Sequence, residues 1–279
     1  MSRSRSALLI EQHVYSLPPI SNFSTILIIS LLLLLTVTSG IAQKKPKPKF
    51  GRAVEEEIRM QRYEKDTTAH AVVLYDRGYL SSTRFTFTRH VKIKVFSNAG
   101  TSFANFTVNT PAKSDIHGYT YNIENGVVKQ TKLEKSSIYR EEIVDGFEVY
   151  KIFFPEVKPG SVIELSYSHT GIPGEWRFQN RIPVIYSELV LETITGVNYK
   201  KTQYGFEPIT AVGSNSWIAE DMPGLELEPY MGDYSNYLTS FQFEVSEVSI
   251  PQIGYYRQYS TSWEKISEQL LKYEYFGVY

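Results

Sequence analysis

The sequence predicts a mainly β protein, an antiparallel β-sandwich, and three observations carry that expectation. Several segments alternate apolar and polar residues with a period of two. Turn dipeptides separate them at short intervals. The 21 tyrosines and 15 phenylalanines are spread along the whole chain, where the pleated surface of a strand accommodates them better than a helix does. A signal peptide, a short N-terminal helix and a C-terminal amphipathic helix complete the expected architecture. Its divisions are residues 1–42, 43–65, 66–250 and 251–279.

Thr25–Ala42 is an apolar run centred on Ile26–Val37 and followed by the small residues Gly40 and Ala42. With Arg3 and Arg5 upstream it reads as a signal peptide, cleaved after Ala42. The rival reading is a short membrane anchor, since the run is at the lower limit for spanning and is diluted by Ser and Thr. Either reading makes the body exported. Lys44, Lys45, Lys47 and Lys49 alternate with Pro46 and Pro48, the composition of a stiff solvated spacer. Gly51–Lys65 is charged, with Val54 and Ile58 one helical turn apart, and predicts the short helix.

From Asp66 the period changes to that of strands. Ala71–Tyr75 is an apolar run, and Asp76-Arg77-Gly78 reads as the turn that closes it. Phe85, Phe87, Val91, Ile93 and Val95 alternate with polar residues as one half-buried strand, whose polar face holds a solvated His90. Arg89 falls on the apolar face, which a bulge or a buried ion pair would explain. Asn125-Gly126 and Asp145-Gly146 each mark a hairpin, and Lys158-Pro159-Gly160 turns into a strand with Ile163, Leu165 and Tyr167 on one face. Pro183–Glu192 and Ser240–Val248 are further strands. Gly196–Glu220 has no decided pattern, with Trp217 as its one anchor. Thr261 and Glu264 form a capping box for a helix over Ser262–Tyr273, with Trp263, Ile266, Leu270 and Leu271 as its apolar stripe.

Composition narrows the functions. The chain has no cysteine, so disulfides, thiolate metal sites, a thiol nucleophile and a lipid anchor on cysteine are all excluded. The net charge of -1 offers nothing to attract nucleic acid. His70, His90, His117 and His169 are scattered, with no serine elbow and no metal-ligand spacing, so neither a catalytic triad nor a metal site is expected. No cofactor is expected, and the chain reads as no enzyme. Glu141, Glu164, Glu188 and Glu228 are the carboxylates a sandwich glycosidase would draw on. The densest aromatic and polar stretch runs from Trp176 through Phe178 and Arg181 to Tyr186. It reads either as a recognition ridge or as a corner where Trp176 and Phe178 fill the core.

Five motifs in order resemble one family: Ala69–Tyr79 (AHAVVLYDRGY), Tyr119–Lys132 (YTYNIENGVVKQTK), Val157–Tyr167 (VKPGSVIELSY), Trp176–Glu188 (WRFQNRIPVIYSE) and Asp221–Tyr230 (DMPGLELEPY). This is the DUF3857 family, the domain of unknown function found N-terminal to transglutaminase-like domains in exported proteins of Gram-negative bacteria. Trp263–Tyr279 resembles the helix leading toward that second domain. The resemblance implies a β-sandwich in the periplasm or associated with the outer membrane. It also implies that a transglutaminase-like domain packs on the C-terminal helix. Relatives place a thiol hydrolase or transferase core there, for which this chain has no matching positions, so no catalytic residue carries over. The expected function is a non-catalytic accessory domain of the cell envelope, binding a protein, peptide or glycan. The alternative is the N-terminal part of a transglutaminase-like enzyme.

Overall fold

A computed structural model of the chain describes residues 48–110, 115–144, 147–259 and 262–272. The apolar segment Thr25–Ala42, Asp145-Gly146, Thr261 and Tyr273–Tyr279 lie outside the described residues. The described chain is mainly β. The short helix α1 (Glu55–Arg59) comes first, and its Glu57 side chain accepts from the Val54 N–H, an exposed bond of 3.2 Å. Two long strands follow, β1 (Ala71–Ser81) and β2 (Thr86–Val95), then the edge strand β3 (Asn105–Thr110). The hairpin β4 (Asp115–Glu124) and β5 (Val127–Lys132) turns at Asn125 and Gly126, with φ of 52° and 80°, the left-handed pair that a two-residue turn needs. A second antiparallel pair, β6 (Ile138–Val144) and β7 (Phe147–Phe153), precedes β8 (Val162–Thr170) and the three-residue β9 (Glu175–Arg177). The remaining strands are β10 (Val184–Leu191), β11 (Val197–Tyr204), β12 (Thr210–Ala211), β13 (Ser216–Met222), β14 (Ser240–Ile250) and β15 (Tyr255–Gln258). Helix α2 (Trp263–Leu270) is the last described element.

One eight-stranded sheet dominates, in the order β12-β13-β10-β1-β2-β8-β4-β5. Its pairs are antiparallel except β1 with β10, which run parallel. Two smaller sheets join its inner face in one core: β3-β7-β6, and β11-β14-β15 with β9 also on β14. Val91, Ile93, Leu165 and Leu189 of the large sheet share that core with Ile152 and Phe154 from the segment of β7, and with Phe178 and Phe241 from the segments of β9 and β14. Trp217, in the stretch without a decided pattern, packs edge-on against Phe241 at 5.3 Å.

Two strand readings need correction. Asp76-Arg77-Gly78 is no turn: β1 runs through it to Ser81. The polar side of β2 is not solvated either. Lys92 and Lys94 are 0 % exposed. Residues 50–63 lie across this outer face and place Ile58 and Tyr63 in a second core with Val72, Leu74, Tyr121 and Val162. His90 sits between the rings of Phe50 and Tyr75, with Nε2 2.8 Å from the Glu164 carboxylate.

Candidate functional site

The site begins at a register shift. Between Val73 and Tyr75 the pairing of β1 with β2 slips. One extra residue in a strand exchanges its two faces. Asp76, Gly78 and Leu80 therefore follow Val73 onto the inner side, and Tyr75, Arg77 and Tyr79 turn outward. Inward Asp76 meets the residue of β2 that breaks the apolar pattern: Arg89 Nε lies 2.8 Å from Asp76 Oδ1 and Arg89 Nη2 2.6 Å from Oδ2. This is a two-pronged pair, the strongest geometry open to a guanidinium and a carboxylate. Burial opposes the charge of Arg89, but Asp76 and the Tyr167 hydroxyl outweigh it and push its pKa above the usual range. The ion pair, not a bulge in β2, explains Arg89.

Gly78 has a separate task. A Cβ there would stand 2.7 Å from the Trp176 ring, 2.8 Å from Phe87 and 2.9 Å from Leu189. The absent side chain is the seat of Trp176, a close approach that explains a glycine in mid-strand. Trp176 sits there edge-on to Phe87 at 6.1 Å, with the Arg89 guanidinium over its ring at 5.3 Å. It is 3 % exposed, and its indole Nε1 has no hydrogen-bond partner among the described residues. Buried polar groups are nearly always partnered, so this one asks for an explanation.

These residues line a cleft of about 590 Å³. Its walls include Asp76 and Arg89, Tyr167 and His169 of β8, the run from Ile172 to Arg177, and Gln179. Gln179 is fixed: its amide N–H donates to the Pro223 carbonyl and its Oε1 accepts from the Thr239 N–H. His169 Nδ1 lies 3.1 Å from the Thr170 carbonyl oxygen. A carbonyl only accepts, so Nδ1 carries the hydrogen and Nε2 of the neutral ring keeps its lone pair. Burial lowers the His169 pKa and favours that neutral ring.

The ridge expected from Trp176, Phe178, Arg181 and Tyr186 is not one surface. Trp176 and Phe178 are two residues apart on one strand direction and both enter the core, 6.3 Å from each other. Arg181 is exposed, with its guanidinium over the Tyr234 ring at 5.8 Å. Tyr186 is on the opposite face of the large sheet, stacked on Tyr75 at 5.8 Å. The physical reason is that the chain changes sheets between them: Trp176 lies on β9, which pairs with β14, whereas Tyr186 lies on β10 of the large sheet, on the face away from the shared core. Sequence reasoning missed Asp76, Gly78, Arg89 as a cleft residue, and His169. For His169 a signal existed, because it continues the Ile163, Leu165, Tyr167 face by two.

Three of the four carboxylates are also spoken for. Glu188 binds Arg77 at 2.8 Å, and Glu141 binds Lys151 at 3.2 Å. Glu164 is wholly buried among His90, Tyr121 and the Gly51 N–H. Glu228 is exposed. Among the described residues, no three His, Asp or Glu side chains converge as metal ligands. No described helix is long and apolar enough to cross a membrane.

The family model "Domain of Unknown Function with solved-structure structure (DUF3857)" matches residues 81–224, more than half of the chain. The chain belongs to the DUF3857 family. Its matched region contains Arg89, Tyr167, His169 and Trp176. No curated protein matches the sequence. Among solved structures, the chain is similar to a protein of Parabacteroides distasonis described as a candidate protease, with 14% identity and a TM-score of 0.49. That match covers 62% of this chain and 40% of the other. Native yeast LTA4 hydrolase matches at 8% identity with a TM-score of 0.29, over 75% of this chain and 34% of that one. The chain thus spans well under half the length of either structure.

Proposed function

We propose that this DUF3857 chain is a non-catalytic, exported domain of the bacterial cell envelope that binds its ligand in the cleft lined by Arg89 and Trp176. The observation that carries the reading is a cleft of about 590 Å³ walled in part by Trp176, whose buried indole N–H has no hydrogen-bond partner among the described residues. A donor kept dry and unbonded costs about 1–3 kcal/mol, which an acceptor on a ligand would recover. A binding role is favoured over glycoside hydrolysis by the carboxylate layout. Glu164 on β8 and Glu188 on β10 are three strands apart, about 14 Å at the usual strand spacing. Glycosidase pairs stand roughly 5–9.5 Å apart. Export rests on the apolar segment Thr25–Ala42, and the envelope location on the family resemblance.

The test uses a photoreactive benzoylphenylalanine in place of Tyr234, an aromatic residue in the cleft wall. Illuminated in a Gram-negative envelope extract, the full chain should yield a discrete adduct from this position. The same group at exposed Tyr204 on β11 should yield none. Equal labelling from both positions, or turnover of peptide or glycan substrates by the purified chain, sinks the reading.

A second reading is favoured by α2. Trp263 is 80 % exposed, and Leu270 at the end of this short helix and Leu271 just beyond it are exposed as well. Such a face suits a further domain packed against it, and the resemblance suggests a transglutaminase-like one. Sequencing the genome beyond the codon for Tyr279 decides it: a frame encoding a cysteine-containing domain supports this reading.

A further inference from the structure

The cleft has a feature that narrows its ligand, and it lies in the main chain of β9. This strand pairs with β14 on one side: Ser240 faces Arg177, Phe241 faces Trp176 and Gln242 faces Glu175. Just beyond its ends, the Phe178 N–H donates to the Thr239 carbonyl, and the Phe243 N–H donates to the Gly174 carbonyl. In an antiparallel pair, bonds to one neighbour are made by every second residue. Residues 174, 176 and 178 therefore face β14. The N–H and C=O groups of Glu175 and Arg177 point the other way, to an edge where no described strand pairs. All of β9 and the three residues before it line the cleft. An open strand edge beside a polar cavity is the arrangement used to add an extended peptide.

We infer that the open edge of β9 takes an extended peptide as an added strand, with Glu175 and Arg177 bonding its main chain and one uncharged polar side chain entering the cleft. This rests on the binding reading above and names its ligand class. The side chain meets the indole N–H of Trp176 as an acceptor and can donate to the lone pair on His169 Nε2. Both rings flank Phe87, His169 at 5.3 Å and Trp176 at 6.1 Å. Asparagine and glutamine carry both functions in one group. A fixed anionic ligand fits less well, because Asp76 and Glu175 already pair with Arg89 and Arg177.

The test titrates the purified full chain with N-acetylated, C-amidated hexapeptides that hold Asn or Gln third and β-branched residues around it. Chitotetraose, which offers the same amide without a strand, is the parallel arm. Saturable peptide binding is expected. Arg177→Pro removes one main-chain donor at a place where an edge strand tolerates proline. It should weaken binding at least tenfold, whereas Arg177→Ala, which keeps the amide, should lose at most threefold. N-methylation of alternate peptide amides should cost the wild-type chain a similar tenfold, a readout independent of whether the proline variant folds. Equal losses in the two variants with no effect of N-methylation overturn strand addition. So does binding of chitotetraose alone, which would leave the cleft a binding site. No binding in either arm, with no adduct from position 234, removes both readings.

Discussion

The two faces of the large sheet both bury charge, and they treat it differently. On the outer face Lys92 donates to the Arg52 carbonyl and to Glu57, each at 2.8 Å. Lys94 donates to the carbonyls of Ile58 and Gly160. Glu164 accepts from the Gly51 N–H at 2.9 Å and the Tyr121 hydroxyl at 2.5 Å, beside His90. Each bond ties the sheet to residues 50–63, to a neighbouring strand or to the turn before β8, and together they close the layer. On the inner face Asp76 and Arg89 are just as firmly paired, yet they line an open cleft beside Trp176, whose indole N–H has no partner among the described residues. A cluster of buried charges is therefore no mark of a site in this fold. The mark is a polar group left unsatisfied beside a cavity.

The sharpest way to break the comparison is Glu164→Ala. It strips a wholly buried cluster of its acceptor and leaves Lys92, His90 and the Gly51 N–H without it. Removing one member of a buried ion pair costs about 3–5 kcal/mol. Thermal melting should fall by roughly 10 °C, since about 2–4 °C per kcal/mol applies to domains of this size. Peptide binding measured well below the melting point should be unchanged, because the cleft is on the other face. A melting point within 2 °C of wild type would mean the outer layer is not the structural one.

Gly78→Ala is the matching test on the inner face and should have the next largest effect. The added methyl meets three packed side chains at under 3 Å. Overpacking of this kind costs about 1–3 kcal/mol. Unlike the Glu164 change, it should also weaken ligand binding, because Trp176 must move to make room. Trp176→Phe complements it: the ring is kept and the N–H removed. Melting should drop by no more than a few degrees while affinity falls at least fivefold. Retained affinity would show that the indole N–H is not what the ligand meets.

What could be read in advance from the residues follows the range of the interaction that fixes each feature. The β4–β5 hairpin was legible because Asn125-Gly126 encodes its own turn. The strand β14 was legible because Phe241, Phe243 and Val245 alternate. Asp76-Arg77-Gly78 has turn composition, and the reason it is a strand lies at Trp176, a hundred residues away. Lys92 and Lys94 look like a solvated face until the segment with Ile58 and Tyr63 covers it, and no local pattern announces that cover. The parallel pairing of β1 with β10 is equally non-local. The register shift after Val73 hid the site itself, by turning Asp76 inward against the apparent phase of the strand. The expected ridge failed for the same kind of reason, since the short stretch from Trp176 to Tyr186 passes from β9 in one sheet to β10 in another.

A smaller effect separates the faces by pH. Burial lowers the Lys94 ammonium to about 8, below its unfolded value. Between pH 8 and 9.5 the unfolded chain therefore holds more protons at this residue than the folded one. Stability then rises with pH across that window, because deprotonation relieves the buried charge. The neutral amine still has two hydrogens for its two carbonyls. Tyrosines held above their usual pKa, Tyr75, Tyr121 and Tyr186 among them, oppose this only above about pH 10. Denaturant titrations at pH 7.5 and 9.5 should show the rise in the wild type and a smaller one in Lys94→Met, in which Lys201, also lowered by burial, keeps its share. Equal slopes would mean that Lys94 keeps its proton through the window.

The smallest expected change tests a third kind of surface. Trp263 on α2 is large and apolar but exposed, so it contributes little to the fold described here. Surface substitutions of this sort stay within about 0.5 kcal/mol. Trp263→Ser should leave the melting point within 2 °C and leave peptide affinity untouched, in contrast to Trp176→Phe. If the chain self-associates through α2, the same change should shift its sedimentation toward the monomer. A drop in melting as large as that of Gly78→Ala would mean that Trp263 is packed after all, and that α2 belongs to the core of this domain.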